Sequence, residues 1–428
     1  MLTEKPSVAR EIARVLGCRQ NGEGCISGGN YVITWALGHL VTLADPEEYD
    51  GKYKNWNLDD LPMLPKKMQL VIIKQTSKQF KSVSALMRRG DIDELVIATD
   101  AGREGELVAR WIMMKAGWRK PAKRLWISSQ TDKAIKEGFS ALKPAQQYDN
   151  LFRSAQARAE ADWLVGLNVT RALTCKHNAQ LSAGRVQTPT LALIVRREEE
   201  IVRFIPKDYY TVHAQFEGFD AVYKDSRNQS RFFEQASAQA IADAVKGKRG
   251  NLVEIKKEYR HQAPPPAYDL TELQRDANRK YAYSAKQTLD FMQGLYEIHK
   301  LLTYPRTDSR YISDDVVPTL PERLKSIAVG PYAQAAQQIL RAKPISSRYI
   351  VNNTKVTDYH AIIPTEQPLN LAKLSPEERN IYDLVARRFL AVLSPAFEYE
   401  EVNARIAVEK HNFYAKGRII KAPGWKAL

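Results

Sequence analysis

The sequence predicts a multidomain protein in which an α/β layer is followed by α+β modules, and three observations carry that expectation. At 428 residues the chain exceeds one ordinary hydrophobic core and points to roughly two to four domains. Its patterning changes along its length, from alternating strands and helices at 1 to about 145, to helices at about 150 to 205, to period-two alternation at 207 to about 260. Ala263-Pro-Pro-Pro266 is then a stiff polyproline hinge, the clearest boundary in the chain.

In the first region Val8 to Leu16 reads as helix, Tyr31 to Trp35 as extended, Phe80 to Arg88 as helix and Glu94 to Thr99 as a buried strand. The join Leu95-Val-Ile-Ala-Thr-Asp100-Ala-Gly-Arg-Glu104-Gly-Glu106 reads as strand and acidic turn. It leads into a helix over Leu107 to Ala116 that Gly117 caps. Ala-rich Ser154 to Leu167 is helical. In Ser182-Ala-Gly-Arg185-Val-Gln-Thr188-Pro189, Thr188 suits an N-cap and Pro189 the first position of a helix over Thr190 to Ile201. Arg185 and Gln187 then sit at a helix N-terminus, where backbone N–H groups favour an anion.

Tyr209 to Phe216 and Leu252 to Tyr259 read as strands around a helix at Glu234 to Val245. After the hinge come helices over Thr271 to Tyr281 and, from the capping box Ser284-x-x-Gln287, Ala285 to His299. These deliver the chain into Leu301-Leu-Thr-Tyr304-Pro-Arg306-Thr-Asp308-Ser-Arg-Tyr311. A helix over Pro376 to Leu393 follows, and alternation returns from Glu398 to Trp425, as though the chain leaves one sheet, builds an inserted module and comes back.

The balance of 64 Lys and Arg against 49 Asp and Glu gives a net charge of +15 and a pI near 9.5. A chain of that sign most often meets polyanions, nucleic acid or an acidic membrane surface. Only Cys18, Cys25 and Cys175 occur, with no C-x-x-C pair, which argues against a disulfide framework and structural zinc and fits a reducing compartment. No apolar run reaches the ~18 residues a span needs, and the first residues lack a signal-peptide core.

Pro305 pushes Tyr304 out of helix, and in an extended chain residues i and i+2 share a face. The Tyr304 hydroxyl and the Arg306 guanidinium can therefore aim at one phosphate. A free phenol titrates near pH ~10, and a forked guanidinium both stabilises a phenolate and grips phosphate. A surface turn of ordinary residues is the competing reading. Asp100 and Glu104 converge at the C-terminal edge of a parallel sheet, where α/β ligands bind, and such carboxylates can hold Mg²⁺. Equally, Glu104 and Glu106 can simply complement the helix dipole. Glu4-Lys5-Pro6-Ser7 and His360 are unremarkable alone.

Taken in order, these motifs resemble those of type IA DNA topoisomerases, most closely the topoisomerase III branch of Gram-positive or plasmid type. Glu4-Lys5-Pro6-Ser7 is similar to the start of their Toprim domain, and Ala98 to Glu106 to its acidic motif. Ser182 to Pro189 is similar to the signature of the DNA-groove domain, and Thr303 to Ser309 to the active-site tyrosine motif. His360-Ala-Ile-Ile-Pro-Thr365 is a fifth match.

The resemblance implies a Toprim domain (1–148), the first part of a helical DNA-groove domain (149–206), a sheet-bearing hinge domain (207–262 and 395–428) and an inserted helical domain (263–394) carrying Tyr304, together forming a toroid. It makes Tyr304 the nucleophile that forms a 5′-phosphotyrosine with single-stranded DNA, and Arg306 the group that stabilises the transition state. Lys5 would contact the scissile phosphate and protonate the leaving oxygen, with Glu4 assisting and His360 as a further catalytic group. Arg185, Gln187, Ser182 and Asp308 would contact DNA. Asp100 and Glu104, with Glu4 and Glu106, would hold Mg²⁺.

Breakage, passage and rejoining without ATP would relax negative supercoils or decatenate duplexes with single-stranded regions. The resemblance further implies a monomer in the cytoplasm, at the nucleoid, with no membrane contact. The competing function is a truncated single-stranded-DNA-binding remnant; a Toprim nuclease or primase gives Tyr304 no role. The chain departs from the family where Asp-x-Asp-x-Glu has Gly102 as its middle member, for which Glu106 would substitute. It departs again where His-His-Ala-Ile-Ile-Pro reads Tyr359-His360. The first strand is expected to be short, and family members continue past Trp425, so the chain is expected to be C-terminally incomplete.

Overall fold

The computed structural model describes every residue except 128–130, 343, 344, 346, 357 and 358. It divides into two units, Met1–Ile194 with Pro266–Phe389, and Val195–Pro265 with Leu390–Leu428.

The first unit is organised on a seven-stranded sheet in the order Gln20–Gly22, Cys25–Gly28, Tyr31–Trp35, Leu2–Thr3, Leu95–Ala98, Ala122–Arg124, Lys143–Pro144. Leu2–Thr3 is only two residues long, as expected, yet it is central and pairs in parallel with strands on both sides. The buried strand Leu95–Ala98 shows why the sheet is covered on both faces. Leu95 and Ile97 join Leu107, Trp111 and Ile112 on one side, whereas Val96 and Ala98 join Ile12, Ala13 and Ile33 on the other, the period of two that a pleated strand imposes.

The helix Pro6–Leu16 has proline in its first turn and ends at Gly17, with φ 77. The helix Arg103–Ala116 ends at Gly117, φ 75, where glycine adopts the left-handed conformation without a Cβ penalty. A long helix, Asp149–His177, follows. The next helix spans Gln187–Val202, which corrects the expected start. Thr188 is not its cap, because its hydroxyl accepts from the Gly184 N–H at 3.0 Å and its own N–H bonds the Gly184 carbonyl at 3.2 Å. The turn is thus closed earlier, with Pro189 still within the first turn, where no N–H is required.

Beyond Pro266, Leu270–Tyr281 is capped by Asp269, and Ala285–Gln293 carries both bonds of the Ser284–Gln287 capping box. The expected continuation to His299 is instead a π-helical turn, Gly294–Ile298. Leu301 to Thr303 then runs against Ile363 to Thr365. The Thr303 N–H bonds the Ile363 carbonyl, and the Thr365 N–H bonds the Leu301 carbonyl, each at 3.0 Å. Leu301, Leu302, Ile362 and Ile363 are buried there, so the apolar part of the fifth motif is the floor under the tyrosine segment.

The second unit holds a five-stranded sheet in the order His213–Phe216, Phe219–Tyr223, His411–Ala422, Phe397–Val408, Asn251–Gln262. All its pairings are antiparallel. Its core gathers Ala238 of the helix Gln235–Val245 with Val212, Ala221, Ile406, Val408 and Phe413. The expected strand at Tyr209 begins only at His213, Tyr210 making an isolated bridge to Phe232. Among the described residues no helix is long and apolar enough to cross a membrane.

Candidate active site

Two parallel strands, Leu2–Thr3 and Leu95–Ala98, end side by side, and the residues that follow each of them turn into one cleft of about 520 Å³. Glu4 and Lys5 come from the first strand end, and Asp100 and Glu104 from the second. Tyr304, Arg306 and Asp308 enter from the tyrosine segment. The acidic turn is fixed from below. The buried Arg124 donates to the carbonyls of Ile97, Thr99, Leu125 and Asp100, and its Nε lies 2.9 Å from Glu106 Oε2. The helix Arg103–Ala116 approaches so closely that a Cβ on Gly105 would stand 2.0 Å from the Asp100 carbonyl oxygen.

The Tyr304 hydroxyl donates to Asp100 Oδ2 at 3.2 Å, and the Asp100 N–H donates to Glu4 Oε2 at 3.3 Å. Burial, with Asp100 beside it, pushes Glu4 up to about 7, and burial likewise raises Asp100. Burial and the two carboxylates push the Tyr304 phenol well above its ordinary value, with Arg306 opposing them. Nearby positive charge would oppose these shifts by favouring the ionised forms. Lys5 Nζ pairs with Glu297 Oε1 at 2.6 Å. Glu104 faces His39, Nε2 to Oε1 2.6 Å, which lowers the carboxylate and raises the imidazole.

A neighbouring cleft of about 740 Å³ shares Glu104, Ala155 and Arg158 with the first and is lined further on by Ser182 and Gln187. Gln187 Nε2 donates to Ser182 Oγ at 3.4 Å. Arg185 is held by Asp162, 2.7 Å from Nε to Oδ1. Most of the sequence-predicted residues thus gather at two adjoining clefts; Arg185 lines neither, and Glu106 and His360 are turned away.

Glu106 does not substitute for the carboxylate absent at Gly102. It is fully buried, with Arg110 at 3.0 Å and Arg124 at 2.9 Å, because residues two apart on a helix do not face the same way and Glu104 takes the cleft side. His360 is also out of the cleft. It is buried with Nδ1 2.7 Å from the Ala361 carbonyl oxygen, and burial next to Arg323 pushes it down to about 4. In an extended segment neighbours point oppositely, and it is Tyr359 that reaches the cleft.

Sequence reasoning missed His39, Arg158, Tyr296 and Glu297, none of which carries a local signal. Tyr359 had one, as a departure from the family pattern. Among the described residues no group of three or more His, Cys, Asp or Glu is assembled at metal-holding spacing. Glu4 and Asp100 form a desolvated carboxylate pair of the kind a divalent cation relieves.

Residues 146–428 match the family model described as DNA topoisomerase, and residues 1–129 the Toprim domain. The chain is 56% identical over 430 residues to DNA topoisomerase 3 of Bacillus cereus and 54% identical over 429 residues to that of Bacillus subtilis. Each alignment takes in 100% of this chain but 59% of the relative's length. Among solved structures, full-length topoisomerase I from Thermotoga maritima superposes with a TM-score of 0.74 at 25% identity, covering 100% of this chain and 66% of that one.

Proposed function

The chain belongs to the type IA DNA topoisomerase family, and on that footing we propose that it breaks and rejoins single-stranded DNA through Tyr304. The observation that carries this reading is the Tyr304 hydroxyl, 3.2 Å from Asp100, in a cleft shared with Glu4, Lys5 and Arg306.

Attack of the phenolic oxygen on a backbone phosphorus forms a 5′-phosphotyrosine ester as the bond to O3′ breaks. The phenolic proton passes to the Asp100 carboxylate that already accepts it, and Arg306 steadies the charge that develops on the phosphoryl oxygens. O3′ receives a proton from the Lys5 side of the cleft. Glu4, held near 7, exchanges protons there at neutral pH. Rejoining reverses these steps, and because the tyrosyl ester keeps the bond energy no ATP is needed. Mg²⁺ would be held by Asp100 and Glu4 and would supply positive charge for the phosphate; such an ion keeps several waters and needs few protein ligands.

The same reading assigns Arg185, Gln187, Ser182 and Asp308 to the DNA strand, and the domain division 1–148, 149–206, 207–262 with 395–428, and 263–394. It places the protein as a monomer at the nucleoid, acting on single-stranded regions of supercoiled or catenated duplex. Incubation with a single-stranded oligonucleotide and Mg²⁺ followed by denaturation is expected to trap a covalent adduct that Tyr304→Phe abolishes. No adduct from the wild type, or one that survives the substitution, refutes the proposal. Salt-sensitive binding without any adduct would instead indicate a DNA-binding remnant.

A further inference from the structure

The ring of Tyr304 is the end of an aromatic column. Tyr359 stacks on it with centroids 4.1 Å apart at 27°, and Tyr296 closes its edge at 5.5 Å and 80°. Behind Tyr359 stands Trp126 at 6.5 Å, itself stacked on Tyr148 at 4.8 Å, with the Arg124 guanidinium 5.1 Å from the Trp126 centroid. The backbone of Tyr359 is tied to the tyrosine segment as well, its carbonyl accepting from Thr307 Oγ1 at 3.0 Å.

Gly102 lies against the same ring. Its backbone is extended, φ −168 and ψ 177, a conformation open to any residue, so glycine is not needed there for the chain to turn. What a side chain at 102 meets is Tyr359, whose Cε2 is 3.5 Å from the position of a Cβ. A methyl group fits at that distance, an ordinary van der Waals contact, whereas a longer side chain directed at Tyr359 would press on its ring.

We propose that Tyr359 is a positioning residue for the Tyr304 nucleophile, fixing its ring by stacking, and that Gly102 provides the space this ring occupies. The proposal rests on the reading of Tyr304 given above. On this proposal Tyr359 acts through Tyr304, on which its ring stacks. Its ring, 6% exposed, also keeps water from one whole face of the phenol. The two departures of this chain from the family pattern, at 102 and 359, are on this account a single matched change.

The test uses the full chain and separates binding from chemistry. Tyr359→Phe keeps the stacking ring, and Tyr359→Leu keeps apolar volume without it. Covalent adduct formation is expected to stay within about threefold of wild type for Phe and to slow at least about tenfold for Leu, since small misplacements of a reacting group are costly. Oligonucleotide affinity, measured by fluorescence anisotropy, should be unchanged in both. A Leu variant as fast as wild type, a Phe variant as slow as Leu, or an affinity that falls in step with the rate would each overturn the proposal.

A second measurement needs no chemistry. Gly102→Leu should lower the thermal midpoint, and the loss should disappear when Tyr359→Ala vacates the space; additive losses refute the matched pair. If wild type forms no adduct the nucleophile reading itself fails, whereas an active wild type beside an equally active Leu variant removes only the role of Tyr359.

Discussion

On the proposed reading Glu297 competes with a DNA phosphate for the Lys5 charge, so replacing Glu297 by Gln, which keeps its shape and removes its charge, is expected to strengthen DNA binding. The pair is 2.6 Å apart with side chains 34% and 23% exposed. Two unit charges at 4 Å near a protein surface attract by about 4 kcal/mol before desolvation and ordering oppose them, and partly exposed pairs retain about 1 kcal/mol. At 1.4 kcal/mol per factor of ten, that is a gain of about fivefold in affinity. The assay is fluorescence anisotropy of a single-stranded oligonucleotide in the Tyr304→Phe background, where no adduct interferes, at about 0.1 M salt to limit screening. Lys5→Ala completes the cycle and should erase the gain. An unchanged dissociation constant refutes the reasoning. An equal gain without Lys5 would show that Glu297 repels DNA in general and does not restrain this lysine.

Two further outcomes follow from buried charges. Arg124→Met removes one of the two cationic partners of the fully buried Glu106, leaving Arg110, and takes one donor from each of four carbonyls, so urea unfolding should show a loss of about 3 kcal/mol; a loss below about 1 kcal/mol contradicts the buried network. Glu4 is raised from 4.5 to about 7, so the folded state holds this proton more tightly than the unfolded chain. Its contribution is therefore intact below pH 4.5 and declines as pH rises to 7. Glu4→Gln should then match wild type at pH 4 and exceed it by about 3 kcal/mol at pH 8, and a difference that does not change with pH excludes the raised carboxylate.

The sequence made legible what local chemistry controls. The run Leu95–Ala98 is apolar on both faces, Gly117 stops its helix with a left-handed turn, and Ser284 and Gln287 satisfy each other's backbone groups. Each of these signals sits within a few residues of its effect. The placement of Glu4, Lys5, Asp100 and Tyr304 in one cleft was reached only by resemblance, since 204 residues separate Asp100 from Tyr304 and no periodicity spans that gap. Glu106 and His360 lie away from the cleft, a placement that residue type read without direction does not reveal. Their neighbours Glu104 and Tyr359 face the cleft, and helix and strand geometry then turn these two away. Glu297 and His39 were illegible altogether, as tertiary packing alone brings them to Lys5 and Glu104.

The pairing of Leu301 to Thr303 with Ile363 to Thr365 also bears on the order of folding. It joins segments some 60 positions apart, as the bond between Thr303 and the Ile363 amide records, and closing such a loop costs roughly 3–4 kcal/mol of chain entropy. The N-terminal mixed sheet contains none of these segments. Tyr304, by contrast, is aimed at the cleft only once the segment Leu301 to Thr303 has paired with Ile363 to Thr365. A partly folded chain, or one still emerging from synthesis, would carry the acidic edge with no phenol presented to it, so the proposed cleavage would have no nucleophile at that stage.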